Sequence, residues 1–238
     1  MSNMIPAFNV PVVILAGGKG TRLKNVLKDM PKALAPVSGK PFLAYLLDKL
    51  ALEGFQKVVL CVGFQGDLIF EQFGERYQNL TLEYSFEKRP MGTGGALRLA
   101  LPYIQATTCL VINGDSFINL DLNEFITWHS HHGVRGSILL AKVENASRYG
   151  TVEIGSDEKI IQFREKSAER DSGWINSGYY LLSADMIAGI PLKNVSLEYN
   201  LFPQWVMNGL GGMRTAASFI DIGTPESLLL AEKFFEAD

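Results

Sequence analysis

The chain has 238 residues, 47% hydrophobic and 20% charged, with a formal net charge of −3 at pH 7. This length buries a sizeable core and fits one large domain or two small ones. A mildly negative chain is not expected to bind nucleic acid, which usually needs a basic surface, and no apolar run reaches the length of a membrane span. Two cysteines, Cys61 and Cys109, each sit inside an apolar run, the pattern of buried thiols in a reducing compartment. The start, MSNMIPAFNVP, lacks the charged and apolar regions of a secretory leader, so a cytoplasmic protein is expected.

Val12–Leu15 reads as a buried strand. Pro41–Glu53 has helical spacing, with Pro at its start and Gly54 as its stop. Lys57–Val62 reads as a strand, Asp67–Phe73 as a helix, Leu80–Phe86 as a strand and Gly94–Leu101 as a short helix. Cys109–Asn113 and Leu122–His129 add one more strand and helix. Alternation of this kind, with fully apolar strands, points to a parallel sheet covered on both faces. Past Gly136 the pattern changes: Ser137–Val143, Thr151–Ile154, Lys159–Phe163 and Trp174–Leu182 look like strands separated by short turns. Helices are expected over Leu197–Met207 and Pro225–Phe235, the latter capped by Thr224.

The first strand runs into Ala16-Gly17-Gly18-Lys19-Gly20-Thr21-Arg22-Leu23. A dinucleotide fingerprint would need a third glycine where Leu23 stands, and a P-loop would need G-x-x-x-x-G-K-[ST], which is absent. A plain tight turn explains the glycines but leaves Lys19 and Arg22 without a role. A phosphate cradle explains both, because bare backbone N–H groups reach phosphate oxygens and cations neutralise them.

The loop, followed by Pro31-Lys32, resembles the signature of sugar-1-phosphate nucleotidylyltransferases. Later segments agree in order: Pro90-Met91-Gly92-Thr93-Gly94-Gly95-Ala96, Val111-Ile112-Asn113-Gly114-Asp115, Phe163-Arg164-Glu165-Lys166, Ile175-Asn176-Ser177-Gly178-Tyr179-Tyr180 and Asp221-Ile222-Gly223-Thr224-Pro225. The resemblance spans nearly the whole chain. It implies an α/β, Rossmann-like fold of glycosyltransferase-A type, with a mixed, mainly parallel sheet flanked by helices. It also implies one nucleotidyltransferase domain over 1–238, the nucleotide-binding part about 10–135 and the sugar-binding part about 136–238.

The implied reaction joins a nucleoside triphosphate to a sugar 1-phosphate and releases pyrophosphate. Its nucleophile, a phosphate monoester, needs no general base; the demand is charge compensation and in-line positioning. The resemblance assigns Arg22, Lys32 and Asp115 to catalysis. Arg22 would hold the outer phosphates, and Lys32 would sit between the α-phosphate and the incoming phosphate. Leu15, Ala16, Gly17, Gly18, Gly20, Thr21, Glu87, Gly92 and Thr93 would bind the nucleotide. Gly150, Glu165, Lys166 and Asn176 would face the sugar phosphate, although a plain turn serves equally for Gly150. Asp115 and Asp221, each after an apolar strand, suit Mg²⁺, a hard ion that prefers oxygen ligands.

Glu87 stands where relatives that bind uracil or thymine often carry Gln. A carboxylate only accepts, which matches the adjacent N1–H and N2–H₂ donors of guanine, so GTP is favoured; a surface Glu paired with Lys88 or Arg89 is the alternative. The set of segments is most similar to D-glycero-α-D-manno-heptose 1-phosphate guanylyltransferases, with mannose-1-phosphate guanylyltransferases near behind. A non-catalytic NDP-sugar-binding regulatory protein would carry the same frame. Glu198 could touch the sugar, but a place in the first turn of a helix capped by Ser196 is preferred. Asp121 is read as a cap rather than a metal ligand, and His129, His131 and His132 as residues suited to a helix end. A homo-oligomer is allowed for.

Overall fold

The computed structural model describes residues 10–18, 20–27, 30–164 and 171–236. In its first half, β1 (Val12–Leu15) leads through a 3-10 turn into a short helix, α1 (Lys24–Leu27). A two-residue hairpin follows, β2 (Pro36–Val37) and β3 (Lys40–Pro41), then α2 (Phe42–Leu52), β4 (Lys57–Val62) and α3 (Gly66–Phe73). Next come β5 (Arg76–Tyr77), β6 (Leu80–Phe86), α4 (Gly92–Ala100), β7 (Thr108–Asn113), β8 (Ser116–Ile118) and α5 (Leu122–His132).

The second half adds β9 (Gly136–Val143), β10 (Thr151–Ile154), β11 (Ile160–Arg164), β12 (Gly173–Ser183) and α6 (Ala184–Ala188). The helix expected over Leu197–Met207 forms as a π-helical turn, Leu197–Leu201, that runs into α7 (Phe202–Val206). The chain closes with β13 (Gly211–Thr215), β14 (Phe219–Asp221) and α8 (Pro225–Glu236).

Ten strands form one sheet, in the path β11-β10-β12-β7-β1-β4-β6-β5, with β9 paired to β12 and β13 paired to β9. The pairs β1–β4, β1–β7 and β4–β6 are parallel; β12 runs antiparallel to β7 and so joins the later strands to the earlier ones. Apolar residues alternate between two cores, as the two-residue period of a strand requires. Val12 and Ile14 face the layer of α2, α5 and α8, whereas Val13 faces α4, α6 and the 197–206 segment. Both faces are therefore covered, which is why these strands are apolar throughout.

Helix α2 shows how local sequence makes an element. Phe42, Leu43, Leu46, Leu47 and Leu50 recur at helical spacing, and all are buried. Lys49 and Glu53 pair at i,i+4 in the last turn (2.5 Å), and Gly54, at φ +83°, ends the helix. Burying each such leucine contributes about 1.5–3 kcal/mol. Cys61 and Cys109 are both free and buried in the core, where burial pushes both thiols up; neither is a nucleophile at neutral pH. Among the described residues, no helix is long and apolar enough to cross a membrane.

Candidate active site

The carboxyl ends of β1, β4, β6 and β7 all open onto one cavity of about 680 Å³. Open α/β sheets bind ligands at this edge, because the strand ends leave backbone groups and loops free there. Of the residues singled out from the sequence, Leu15, Ala16, Gly17, Gly18, Lys32, Glu87, Gly92, Thr93 and Asp115 line it.

The glycine loop leaves β1 with Ala16 still in register, its N–H donating to Cys61 O (2.9 Å). Gly17 is confined: a Cβ there would lie 2.7 Å from Glu87 Oε1 and 3.3 Å from Gly63 N. Gly18 faces open space. Gly20, at φ +57°, packs on Lys32, whose Cβ would be 3.2 Å from an added methyl. Leu23 is fully buried and donates its N–H to Gly20 O (2.8 Å), which anchors the far end of the loop. Arg22 is exposed and does not line the cavity, and Lys19 falls outside the described residues. The Thr21 backbone begins the 3-10 turn.

Across the cavity, Lys32 Nζ donates to Asp115 Oδ2 at 2.5 Å, with 39% of the Asp115 side chain exposed. Asp115 and Asp221 come together because β8 pairs with β14 and Ile222 N–H donates to Asp115 O (2.9 Å). Asp221 is buried. It accepts from Tyr149 OH, from Arg148 Nη2 (3.2 and 3.3 Å) and from Gly223 N–H (2.6 Å). Burial, then the Asp221 charge, pushes the Tyr149 phenol up, so it stays protonated and donates. Lys32 Nζ would lie 3.8 Å from a Cβ on Gly223, which places it beside the turn that follows Asp221. Sequence reasoning passed over Arg148 and Tyr149; the Arg-Tyr-Gly run was read for its glycine alone.

On the β6 side, Glu87 is half-buried and its Oε2 accepts from Met91 N–H (2.8 Å). Burial raises its pKa, partly opposed by that hydrogen bond. Among the described residues it makes no ion pair with Lys88 or Arg89, so the surface-pair alternative is set aside. Thr93 is used internally: its hydroxyl accepts from Leu197 N–H (2.8 Å) and donates to Glu198 Oε2 (2.7 Å). Glu198 does stand in the first turn after the Ser196 cap, yet its carboxylate also reaches the cavity. Asn113, on the same wall, donates to Tyr180 OH (3.3 Å), while its buried Oδ1 has no hydrogen-bond partner among the described residues. An orphaned acceptor of this kind costs about 1–3 kcal/mol unless a ligand or water satisfies it.

Some expected ligand residues have structural work to do. A Cβ on Gly150 would meet Arg164 O at 2.7 Å, so this glycine lets β11 approach. Asn176 Oδ1 accepts from Gly178 N–H (2.9 Å), bracing the backbone beside Asn113, and Asn176 does not line the cavity. Glu165 and Lys166 lie outside the described residues. Asp121 caps α5 by accepting from Asn123 N–H (2.9 Å). His129 meets Ser137 Oγ (2.5 Å), and His132 meets Glu158 Oε2 (2.7 Å) under the Trp128 ring. Among the described residues no three His, Cys, Asp or Glu side chains gather as a metal cage.

The "Nucleotidyl transferase" family profile matches residues 11–238. A D-glycero-alpha-D-manno-heptose 1-phosphate guanylyltransferase of Campylobacter jejuni is 34% identical over 219 residues, covering 90% of this chain and 95% of its own. A mannose-1-phosphate guanylyltransferase of Mycobacterium tuberculosis is 31% identical over 225 residues, covering 92% of this chain and 63% of its own. The crystal structure of HddC from Yersinia pseudotuberculosis complexed with GMP-PN matches with a TM-score of 0.85 at 37% identity, covering 95% of this chain and 99% of that one. The chain belongs to the nucleotidyl transferase family.

Proposed function

We propose that the protein is a guanylyltransferase that joins GTP and D-glycero-α-D-manno-heptose 1-phosphate, giving GDP-heptose and pyrophosphate. The observation that carries this reading is a single cavity that holds the Glu87 carboxylate on its β6 side and the Lys32–Asp115 pair on its β7 side. A carboxylate accepts from N1–H and N2–H₂ of guanine together, and uracil offers no such donor pair. Two relatives named for this heptose, from Campylobacter jejuni and Aneurinibacillus thermoaerophilus, support the sugar. Mannose 1-phosphate is the second reading, supported by the Mycobacterium tuberculosis relative.

The sugar phosphate has a second pKa of about 6, so it is largely dianionic at neutral pH and attacks without a general base. Its oxygen forms a bond to the α-phosphorus of GTP. The bond from that phosphorus to the bridging oxygen breaks, and the electron pair leaves with pyrophosphate. Lys32, oriented by Asp115, supplies positive charge where the two anions meet, and the Gly17–Gly18 backbone offers donors without side chains in the way. Asp115 and Asp221, brought near each other by the β8–β14 pairing, would offer oxygen donors to Mg²⁺, an ion held by one or two carboxylates with substrate phosphates. Asp115 brings a carboxylate open to the cavity; Asp221 is the buried member, steadied by Arg148 and Tyr149. When bound, such an ion neutralises phosphate charge and clamps the reacting groups.

The reading treats 1–238 as one domain, with residues past about 135 serving the sugar side, and places the enzyme in the cytoplasm with its nucleotide substrate. Pyrophosphate release tests it, with four nucleoside triphosphates set against heptose and mannose 1-phosphates. Release that needs both GTP and the heptose phosphate is the expected result. Equal release with UTP sinks the base assignment, and no release with any pair sinks the activity.

A further inference from the structure

Glu198, Thr93 and Asn113 line the cavity, with Tyr180 buried behind them, apart from the Lys32–Asp115 pair and the Glu87 carboxylate. Glu198 stands on the π-helical turn Leu197–Leu201, and wide turns of this kind recur at functional sites because they re-aim a side chain. The segment before it is pinned to the start of α4: Val195 N–H donates to Met91 O (2.8 Å), and Gly94 N–H donates to Val195 O (2.9 Å). The carboxylate is held from three directions. Oε2 accepts from Thr93 Oγ1 (2.7 Å) and Ser196 Oγ (2.8 Å), and Oε1 accepts from Tyr180 OH (3.4 Å). A carboxylate has about four acceptor sites, so three donors leave it able to take a ligand hydroxyl. Asn113 Nδ2 donates to the same Tyr180 hydroxyl, and Asn113 also lines the cavity. The Glu198 carboxylate is thus a fixed acceptor, complementary to a ligand that presents hydroxyl groups.

Glu87 follows β6, which is separated from β7 by β4 and β1. Asn113 ends β7 and Tyr180 lies on β12, adjacent strands on the far side of the glycine loop. Asn113 and Tyr180 thus put one end of this cluster on the β7–β12 side, next to Asp115, while Thr93 ties Glu198 to the start of α4.

Resting on the guanylyltransferase reading above, we propose that Glu198, oriented by Thr93 and Tyr180 and aided by Asn113, accepts a hydrogen bond from a ring hydroxyl of the sugar 1-phosphate and so selects the sugar.

The test is steady-state kinetics of Glu198→Gln, with D-glycero-α-D-manno-heptose 1-phosphate, its monodeoxy analogues, GTP and 2′-deoxy-GTP. The expected result is a roughly 10- to 100-fold loss in kcat/KM for the heptose phosphate, the size of one charge-assisted hydrogen bond. KM for GTP stays within about twofold, since no base contact is removed. One deoxy analogue that is poor for the wild type is no worse than the full sugar for the variant. Thr93→Val, which removes the hydroxyl that holds Glu198, gives the same loss for the heptose phosphate, and an unaltered circular dichroism spectrum and melting transition confirm that each variant is folded. Two results overturn the inference while wild-type activity stands: unchanged sugar parameters in both variants, or a loss that tracks the ribose 2′-hydroxyl instead of the sugar. A wild-type protein inactive with every sugar 1-phosphate removes the guanylyltransferase reading, and this inference with it.

Discussion

Two glycine-rich segments border the cavity, and they use their glycines for different ends. In the loop after β1, Gly18 has open space where a side chain would be, and Gly17 is limited chiefly by the Glu87 carboxylate. In Gly92–Gly95, the limits are backbone. A Cβ would meet Val195 O at 2.5 Å from Gly92 and Lys193 O at 2.2 Å from Gly95. The first segment keeps side chains away from a ligand; the second keeps them away from the protein itself, so that α4 can dock on residues 193–197. Glycine-rich composition is the same signal in both, and only the neighbours separate a cradle from a packing joint.

The comparison is sharpest at Lys32, which Gly20 contacts. Lys32→Met is expected to lower kcat by about 10²–10³-fold, the usual loss when a charge-stabilising group is removed. Its melting temperature should barely move, because the Lys32–Asp115 pair is open to solvent on the Asp115 side. A large thermal shift instead would mean that this loop, too, is mainly structural.

Glu87→Gln tests what Gly17 makes room for. Selectivity for GTP over UTP should fall roughly 10- to 100-fold, since an amide offers one acceptor where a carboxylate offers two. An unaltered ratio in the pyrophosphate assay would remove Glu87 from base recognition.

Gly95→Ala and Gly18→Ala form a matched pair. The first drives a methyl into backbone and should destabilise by about 1–3 kcal/mol, read as a melting point lower by several degrees. The second should leave stability within about 0.5 kcal/mol while raising KM for GTP, because the methyl enters the space that phosphates would occupy. If Gly18→Ala is kinetically silent, the loop is a plain turn.

The smallest effect concerns pH. The Glu87 pKa is raised by burial, so the folded protein holds that proton above the ordinary carboxylate range. Its contribution to stability is full below the unfolded value and is lost as pH rises through the raised folded value. GTP affinity should move the opposite way, improving over the same window as the carboxylate ionises. Glu87→Gln should flatten both profiles; persistence of either in the variant assigns it to another group.

Much of the fold was legible in the residues. Lys57–Val62 and Leu80–Phe86 are strands to the residue, because apolar runs bounded by turn formers have few other ways to be buried. β13 was not legible. Its Gly211-Gly212 start has poor strand propensity, and it forms because glycine alone fits beneath Trp128 and beside Ile154 and Ile160, in parallel with β9. The π turn at Leu197–Leu201 was equally hidden, since apolar spacing over 197–207 reads as one continuous helix.

By itself the sequence determined the alternating α/β frame, the glycine loop at the end of β1, and the family signature carried by Lys32, Asp115 and Asp221. Periodicity and motif spacing are local properties, and a chain displays them before it folds. Only tertiary structure decided that Thr93 serves Glu198, that Arg148 and Tyr149 hold Asp221, and that Gly150 admits Arg164 O. Each of those contacts joins residues far apart in the chain or on separate elements, and such pairings exist only once the sheet has brought its strands into order.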